Sequence, residues 1–270
     1  MRPDGTHQRP ITRAPRHVAK PTWSPDGNWI AYTATRKPAG SCPQLYMMRA
    51  DGTRVRRLAH DSYCYDNAAW SPDGRRMAFL RYRTGGLGSK YSIWAMNVDG
   101  TGLRRLTNGN RDHDPAWSPD GMTIAFARNY PEAIWLMNAD GSDQRQLTTP
   151  RQDTDSGDEE DFGPDWSPNS KWIAFSRVHE PHMGRTGGTR YRIDIYVIGT
   201  DGTGLRRLTR LAGMNSWPAW SPDGRRIVFE SDRSHEDLSD IYVMNGDGTR
   251  QTRLTKGPVI HESPDWRPRP

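Results

Sequence analysis

Residues 115–148 read PAWSPDGMTIAFARNYPEAIWLMNADGSDQRQLT, and the fold follows from this stretch. Its apolar runs, such as Ile124-Ala-Phe126 and Ile134-Trp-Leu136, are short, rich in β-branched or aromatic residues, and bounded by turn residues. Runs of that kind read as strands. In Ser118-Pro-Asp-Gly121 the proline presets φ at the first central turn position, aspartate suits the next, and glycine supplies a positive φ. Asp140-Gly141 does the same for a tight hairpin between the following two strands.

The stretch recurs. Trp-Ser-Pro-Asp-Gly begins at Trp23, Trp70, Trp117 and Trp220, a variant Trp-Ser-Pro-Asn-Ser begins at Trp166, and a truncated Trp-Arg-Pro begins at Trp266. Asp-Gly-(Thr/Ser) follows at Asp51, Asp99, Asp140, Asp201 and Asp247, with a sixth copy at Asp4. From each tryptophan to the next strand aromatic (Tyr32, Phe79, Phe126, Phe175, Phe229) is always nine residues. Tyr46, Trp94, Trp135, Tyr196 and Tyr242 each precede a leucine (Leu58, Leu106, Leu147, Leu208, Leu254) by twelve. Four strands in roughly 47 residues, repeated in tandem, match one blade of a β-propeller. A blade cannot bury both faces alone, so it needs a neighbour on each side.

The sequence therefore predicts a single all-β propeller domain over residues 1–270 with antiparallel four-stranded blades. Complete repeats span approximately 13–59, 60–107, 108–148, 149–209 and 210–255, with half-repeats at 1–12 and 256–270. Asp4–Thr12 reads as a fourth strand and Ser263–Trp266 as the start of a first. Either five blades close the ring and the ends are spare, or the ends form a degenerate sixth blade. Five is favoured, because innermost and outermost strands are not neighbours and cannot pair.

The pattern Pro-x-Trp-Ser-Pro-Asp-Gly-x-x-Ile-Ala-Phe, then Ile-Tyr-x-Met-Asn-x-Asp-Gly-Thr, then Arg-x-Leu-Thr, resembles the TolB-type propeller repeat over nearly the whole chain. The resemblance implies the fold, a family whose members usually carry six blades, and a role in protein interaction. Propellers host adaptors, receptors, peptidase gatekeepers and lyases alike, so fold does not fix function.

Composition sets further bounds. Only 33% of the chain is apolar and it carries 21 prolines and 26 glycines, which suits short strands and tight turns. No run reaches the roughly 18 apolar residues of a membrane span. Met1–Thr6 has no apolar core and does not read as a signal peptide. A cytoplasmic location is expected, or a periplasmic or extracellular one if the sequence begins inside a longer exported chain. Cys42 precedes the third strand of blade one and Cys64 follows its fourth, at the same end of the blade; a bridge and two free thiols both fit. The net charge of +6 is largely explained by arginines on outermost strands (Arg56, Arg57, Arg104, Arg105, Arg145, Arg206, Arg207, Arg253), where charge blocks edge pairing. That charge is spread round the ring, so no nucleic-acid partner is expected. There is no Gly-x-Ser-x-Gly elbow, phosphate loop or His-Glu-x-x-His helix.

Function is sought where the repeat varies. The first-to-second and third-to-fourth strand turns keep constant length and lie at one end of the ring. The other connections vary, with gaps of 14, 15, 9, 21 and 13 between second- and third-strand aromatics. Variable loops on a rigid scaffold normally carry function. Trp217, Tyr65 and Tyr130 fall there as candidate anchors. Asp66, Asn67, Asp112, His113, Asp114, Asp161, Asn215, His261 and Glu262 precede the first-strand tryptophans, at the mouth of the channel. Inward polar groups lining a wet channel are the bland reading of that cluster; a divalent cation is the other. Residues 151–161 form an acidic insertion with a loosely calcium-like start, and 178–192 a basic, glycine-rich flap. The expectation is a monomeric, non-catalytic propeller that binds a protein or peptide and needs no cofactor. The alternatives are a metal-dependent polysaccharide lyase or hydrolase with a channel-mouth His/Asp site, as in propeller lyases of similar fold, and a fragment of a larger exported scaffold.

Overall fold

A computed structural model describes residues 1–12, 17–35, 42–83, 91–109, 111–129, 132–152, 159–183, 189–210, 213–234, 238–257 and 260–268. Blade one consists of β1 (His17–Trp23), β2 (Trp29–Thr35), β3 (Gln44–Arg49) and β4 (Arg56–Arg57). Blade two has β5 (Cys64–Trp70), β6 (Arg76–Tyr82), β7 (Ser92–Asn97) and β8 (Arg104–Arg105). Blade three has β9 (Asp112–Trp117), β10 (Thr123–Arg128), β11 (Ala133–Asn138) and β12 (Arg145–Gln146). Blade four has β13 (Glu160–Trp166), β14 (Trp172–Met183), β15 (Thr189–Gly199) and β16 (Arg206–Arg207). Blade five has β17 (Asn215–Trp220), β18 (Arg226–Ser231), β19 (Asp240–Asn245) and β20 (Thr252–Arg253). Each blade is an antiparallel meander with its strands in sequence order. No helix among the described residues is long and apolar enough to cross a membrane.

The repeated turns are built as their chemistry requires. Ser24 Oγ bonds Asp26 at 2.5 Å and accepts the Trp29 N–H at 2.9 Å, closing the first hairpin of blade one. Ser71–Asp73, Ser118–Asp120 and Ser221–Asp223 repeat the first bond, and Ser167–Asn169 substitutes an amide. At the other hairpin, Asp51 accepts both the N–H and the hydroxyl of Thr53, at 2.8 and 2.6 Å.

Apolar faces meet between blades. Leu45 and Met47 of blade one pack with Tyr65, Met77 and Phe79 of blade two. Equivalent clusters join blades two and three, three and four, and four and five. The fifth junction is different: among the described residues no strand backbone of blade five packs against one of blade one, and a single side-chain contact, Lys20 on Trp217, bridges them. The chain ends stand between them. Asp265 accepts the Trp23 N–H at 2.8 Å, as Asp165 accepts that of Trp220 at 2.6 Å. Trp266 donates its indole N–H to Ala219 O at 3.0 Å, as Trp166 does to Ala116 O. Ile11 packs on the cluster of Ile30, Tyr32 and Tyr46, the otherwise open face of blade one. Five blades are complete, and the ends are not spare: together they fill the gap between blades five and one.

A disulfide joins Cys42 to Cys64, with Cα atoms 4.8 Å apart. Cys64 opens β5, so the bond ties the entry to β3 in blade one to the innermost strand of blade two. Alkylation without reductant should label neither cysteine, and mass spectrometry showing two labelled thiols would remove the bond. Replacing both by serine should cost about 3 kcal/mol in urea unfolding.

Two glycines separate strain from clash. Gly74 has φ +68° and an added Cβ would meet nothing closer than a Pro25 ring carbon at 3.9 Å. Gly141 has φ +93°, and its Cβ would lie 2.5 Å from Leu106 O, a backbone atom that cannot swing aside. Gly74→Val should therefore lose about 1–2 kcal/mol from the left-handed conformation alone, and Gly141→Val clearly more. Equal losses in chemical denaturation would contradict the inter-blade packing described.

Candidate functional site

Each innermost strand carries the same irregularity three residues before its tryptophan. Lys20, Asn67, Asp114, Gly163 and Trp217 all have φ between 46° and 58°, and Ser263 in the C-terminal segment has 50°. Pairing with the second strand slips at these points in all five blades. A bulge of this kind re-aims a side chain. Here the six residues, with the prolines or alanines that follow them, line a central channel of about 370 Å³.

The mouth holds an interlocked set of charges. Lys20 places its ammonium 3.4 Å from the centroid of the Trp217 ring, and Phe162 meets that ring edge-on at 5.6 Å. The Trp217 N–H donates to Ser176 Oγ at 3.0 Å, which fixes the bulge. Asn67 donates its amide to Asp114 Oδ1. Asp114 Oδ2 accepts the Gly163 N–H at 3.2 Å and lies 3.1 Å from His113 Nδ1. His113 Nε2 lies 3.2 Å from Glu132 and 2.9 Å from Asn129 Oδ1.

Burial alone would make His113 less basic, but the carboxylates of Asp114 and Glu132 outweigh it and push its pKa up to about 11. The ring is thus an imidazolium at neutral pH. Asp114 is opposed by burial, yet His113 and Lys20 hold its carboxyl below the usual carboxylate range. Asp66 and Glu230 are pushed up by burial, with the charge of Lys20 working against the rise in both. Glu230 also accepts the Ser216 hydroxyl at 2.8 Å and the Ser263 N–H at 3.1 Å.

The sequence-predicted residues divide by the pleat of the strands. Asp66, His113 and Trp217 belong to the mouth, with Asn67 and Asp114 beside them. Tyr65, Asp112, Asp161 and Asn215 all stand five residues before a tryptophan and are fully buried. Asp112 and Asp161 are each held by two bonds to an arginine across the ladder, Arg128 at 2.6 and 3.1 Å and Arg177 at 2.6 and 2.7 Å. Asn215 accepts from the Ser231 hydroxyl at 2.9 Å, and Tyr65 gives its hydroxyl to Asp61 at 2.8 Å. These four are buried and bonded within their blades, and Tyr65 in particular is no exposed anchor. Trp217 lies in β17 rather than in a loop, because the strand runs further toward the mouth than the repeat suggests. His261 donates its backbone N–H to Ser239 O at 2.9 Å, and its buried Nε2 has no hydrogen-bond partner among the described residues. Tyr130 falls outside the described residues, as do 153–158 and 184–188 of the acidic and basic insertions. Lys20, Glu132, Phe162 and Glu230 were not singled out from sequence. Aligning the repeats on their tryptophans and inspecting the third residue upstream finds Lys20; nothing comparable points to Glu132 or Glu230.

Among the described residues no three His, Cys, Asp or Glu side chains are arranged to hold a metal ion. A larger cavity of about 550 Å³ opens between blades four and five at the constant turns, lined by Trp172, Arg206, Trp220 and Asp223. Trp29, Arg56, Trp70 and Asp73 hold the same repeat positions at the junction of blades one and two, so this cavity carries repeat chemistry rather than a special site.

Residues 1–158 and 151–269 match the family described as TolB beta propeller domain. The chain belongs to that family. The TolB-like propeller is structurally similar to TolB from Acinetobacter baumannii, with a TM-score of 0.77 and 19% identity over 99% of this chain and 61% of that one. The chain thus spans under two thirds of that protein's length. It is also similar to a putative TolB from Agrobacterium tumefaciens (TM-score 0.72, 24% identity, 92% and 83% coverage). An oligogalacturonate lyase from Vibrio parahaemolyticus shares the fold at a TM-score of 0.60, with 14% identity over 91% of this chain and 67% of that chain.

One carboxylate of the TolB-like channel is set to titrate near neutrality. Burial in the channel wall pushes the pKa of Asp165 up to about 7; the Trp220 N–H works against that rise and the charge of Asp265 adds to it. A carboxyl whose folded pKa is raised contributes stability below its unfolded pKa, and that contribution is lost as pH rises toward 7. Asp165→Asn keeps an acceptor for Trp220 without the charge. It should raise the melting temperature relative to wild type at pH 8, and the gain should shrink by pH 5. A difference independent of pH would show that Asp165 is not strained by its charge.

Proposed function

We propose that this chain is a non-catalytic propeller that binds a protein or peptide segment at the variable-face mouth of its channel. The observation that carries this is the state of the mouth. Both ring nitrogens of its histidine face acceptors, Nδ1 towards Asp114 and Nε2 towards Glu132 and Asn129, so neither offers a free lone pair to a proton or a metal. What remains is a half-buried indole, an ammonium and a rim of carboxylates, which is recognition chemistry. Aromatic anchors usually dominate interface energies. The Cys42–Cys64 bond favours an oxidising compartment.

Capture from the native lysate with immobilised protein tests the reading. Trp217→Ala, compared at a temperature where it is folded by circular dichroism, should weaken the captured partner by about 2 kcal/mol. Arg105→Glu, exposed on β8, should leave affinity nearly intact. If the rim change abolishes capture and the mouth change does nothing, the site lies on the rim. Stoichiometric divalent metal by elemental analysis, together with depolymerisation of polygalacturonate, would replace the binding reading with the lyase alternative.

A further inference from the structure

We infer that the channel mouth is a receptor for the cationic side chain of a lysine- or arginine-bearing peptide, and that Lys20 occupies it in the free protein. This rests on the binding reading above and names its ligand class. Lys20 is the one Lys or Arg among the described residues that line the channel. Its ammonium lies over the face of Trp217, and its charge acts on Asp66, Asp114 and Glu230 together. Aromatic face plus converging carboxylates is the arrangement that receives an ammonium or guanidinium. A cation is already seated there, supplied by the chain itself.

The backbone marks the same two residues. Four of the six bulge positions hold Asn67, Asp114, Gly163 and Ser263, and Asn, Asp and Gly are the residues that adopt a left-handed conformation most readily. The two bulky exceptions are Lys20 (φ 52°) and Trp217 (φ 53°), the pair that stacks. Bulky residues held in that conformation gather at ligand clamps and switch regions. The Lys20 side chain also has a way out of the mouth. It is joined to the backbone by four rotatable bonds, and His17, Val18 and Ala19 before it in β1 are exposed. Withdrawing its side chain uncovers the indole face and removes its charge from Asp66, Glu230 and Asp114, of which Asp114 keeps His113 beside it. A ligand cation restores both contacts.

The test uses Lys20→Asn, which installs the residue blade two uses at this position. Binding of acetyl-Gly-Arg-Gly-amide is measured by calorimetry, with acetyl-Gly-Gln-Gly-amide as the neutral control. The variant should bind the arginine peptide at least tenfold more tightly than wild type and should not distinguish itself with the glutamine peptide. Adding Trp217→Ala should abolish the gain. A folded variant with wild-type affinity, or equal binding of both peptides, overturns the inference. Wild-type protein gives a second readout independent of the variant's folding. Millimolar arginine peptide, but not glutamine peptide, should shift the Trp217 indole N–H resonance, assigned through Trp217→Phe; no shift overturns the inference as well. Failure here with mouth-dependent capture intact leaves the binding reading standing, whereas rim-dependent capture removes that reading whatever Lys20 does.

Discussion

The apolar face of one blade can be covered only by the next, and the apolar clusters that repeat from junction to junction serve that cover. Four junctions are made by strands packing on strands, with Phe79, Phe126, Phe175 and Phe229 completely buried at the centres of the blades. Buried aromatics of that size each remove a large apolar area from water, worth some 1.5–3 kcal/mol. The fifth junction has to be made by two ends that share no continuous strand. The solution borrows from the others: the Trp266 indole bonds a carbonyl as those of Trp70 and Trp166 do, Asp265 accepts the Trp23 N–H as Asp165 accepts that of Trp220, and Ile11 stands where a leucine stands elsewhere. Closure is thus chemical mimicry by short segments rather than a fifth sheet-on-sheet contact.

The same demand explains the charge. Arg56, Arg104, Arg145 and Arg206 each reach the third-to-fourth hairpin of the following blade, bonding carbonyls of Val98, Ala139, Thr200 and Gly246 at 2.9 to 3.2 Å. Blade five, whose neighbour is the end segment, has Thr252 at that position and no such arm. Edge protection, the reason read from sequence, is therefore only part of why these arginines are present. They are staples between blades, and the basic balance of the chain is a by-product of architecture.

Legibility followed periodicity. Turn residues and strand aromatics repeat at fixed spacing, so blade number, strand order and the roles of Ser-Pro-Asp-Gly and Asp-Gly were readable. The mouth was half readable, because proximity to the channel was inferred from position in the repeat without the alternation of the strand. Asp112 and Asp66 stand at adjacent repeat positions on different blades, yet one is sealed against Arg128 and the other faces Lys20. The pairs Asp112–Arg128 and Asp161–Arg177 are each 16 residues apart, a recurrence that would have moved both acids from site to scaffold. The bulge was not readable at all: a tryptophan and a lysine at left-handed φ contradict their own propensities, and only tertiary context holds them there.

That context places the mouth and the seam in one system. Lys20 comes from blade one and Trp217 from blade five, the two blades whose strand backbones do not pack together, and their side chains meet beside the Ser263 segment that separates them. A cation–π contact is worth about 0.5–2 kcal/mol depending on its exposure to water, so this pair is a measurable fraction of what holds the seam. A ligand cation that displaces Lys20 restores the charge balance but not the bridge from the indole to blade one. Occupancy of the mouth and tightness of the ring are then linked, and by reciprocity whatever loosens the seam must favour the ligand by the same free energy. The ring's point of irregular closure and its candidate binding site coincide because both depend on the one junction that the repeat could not build.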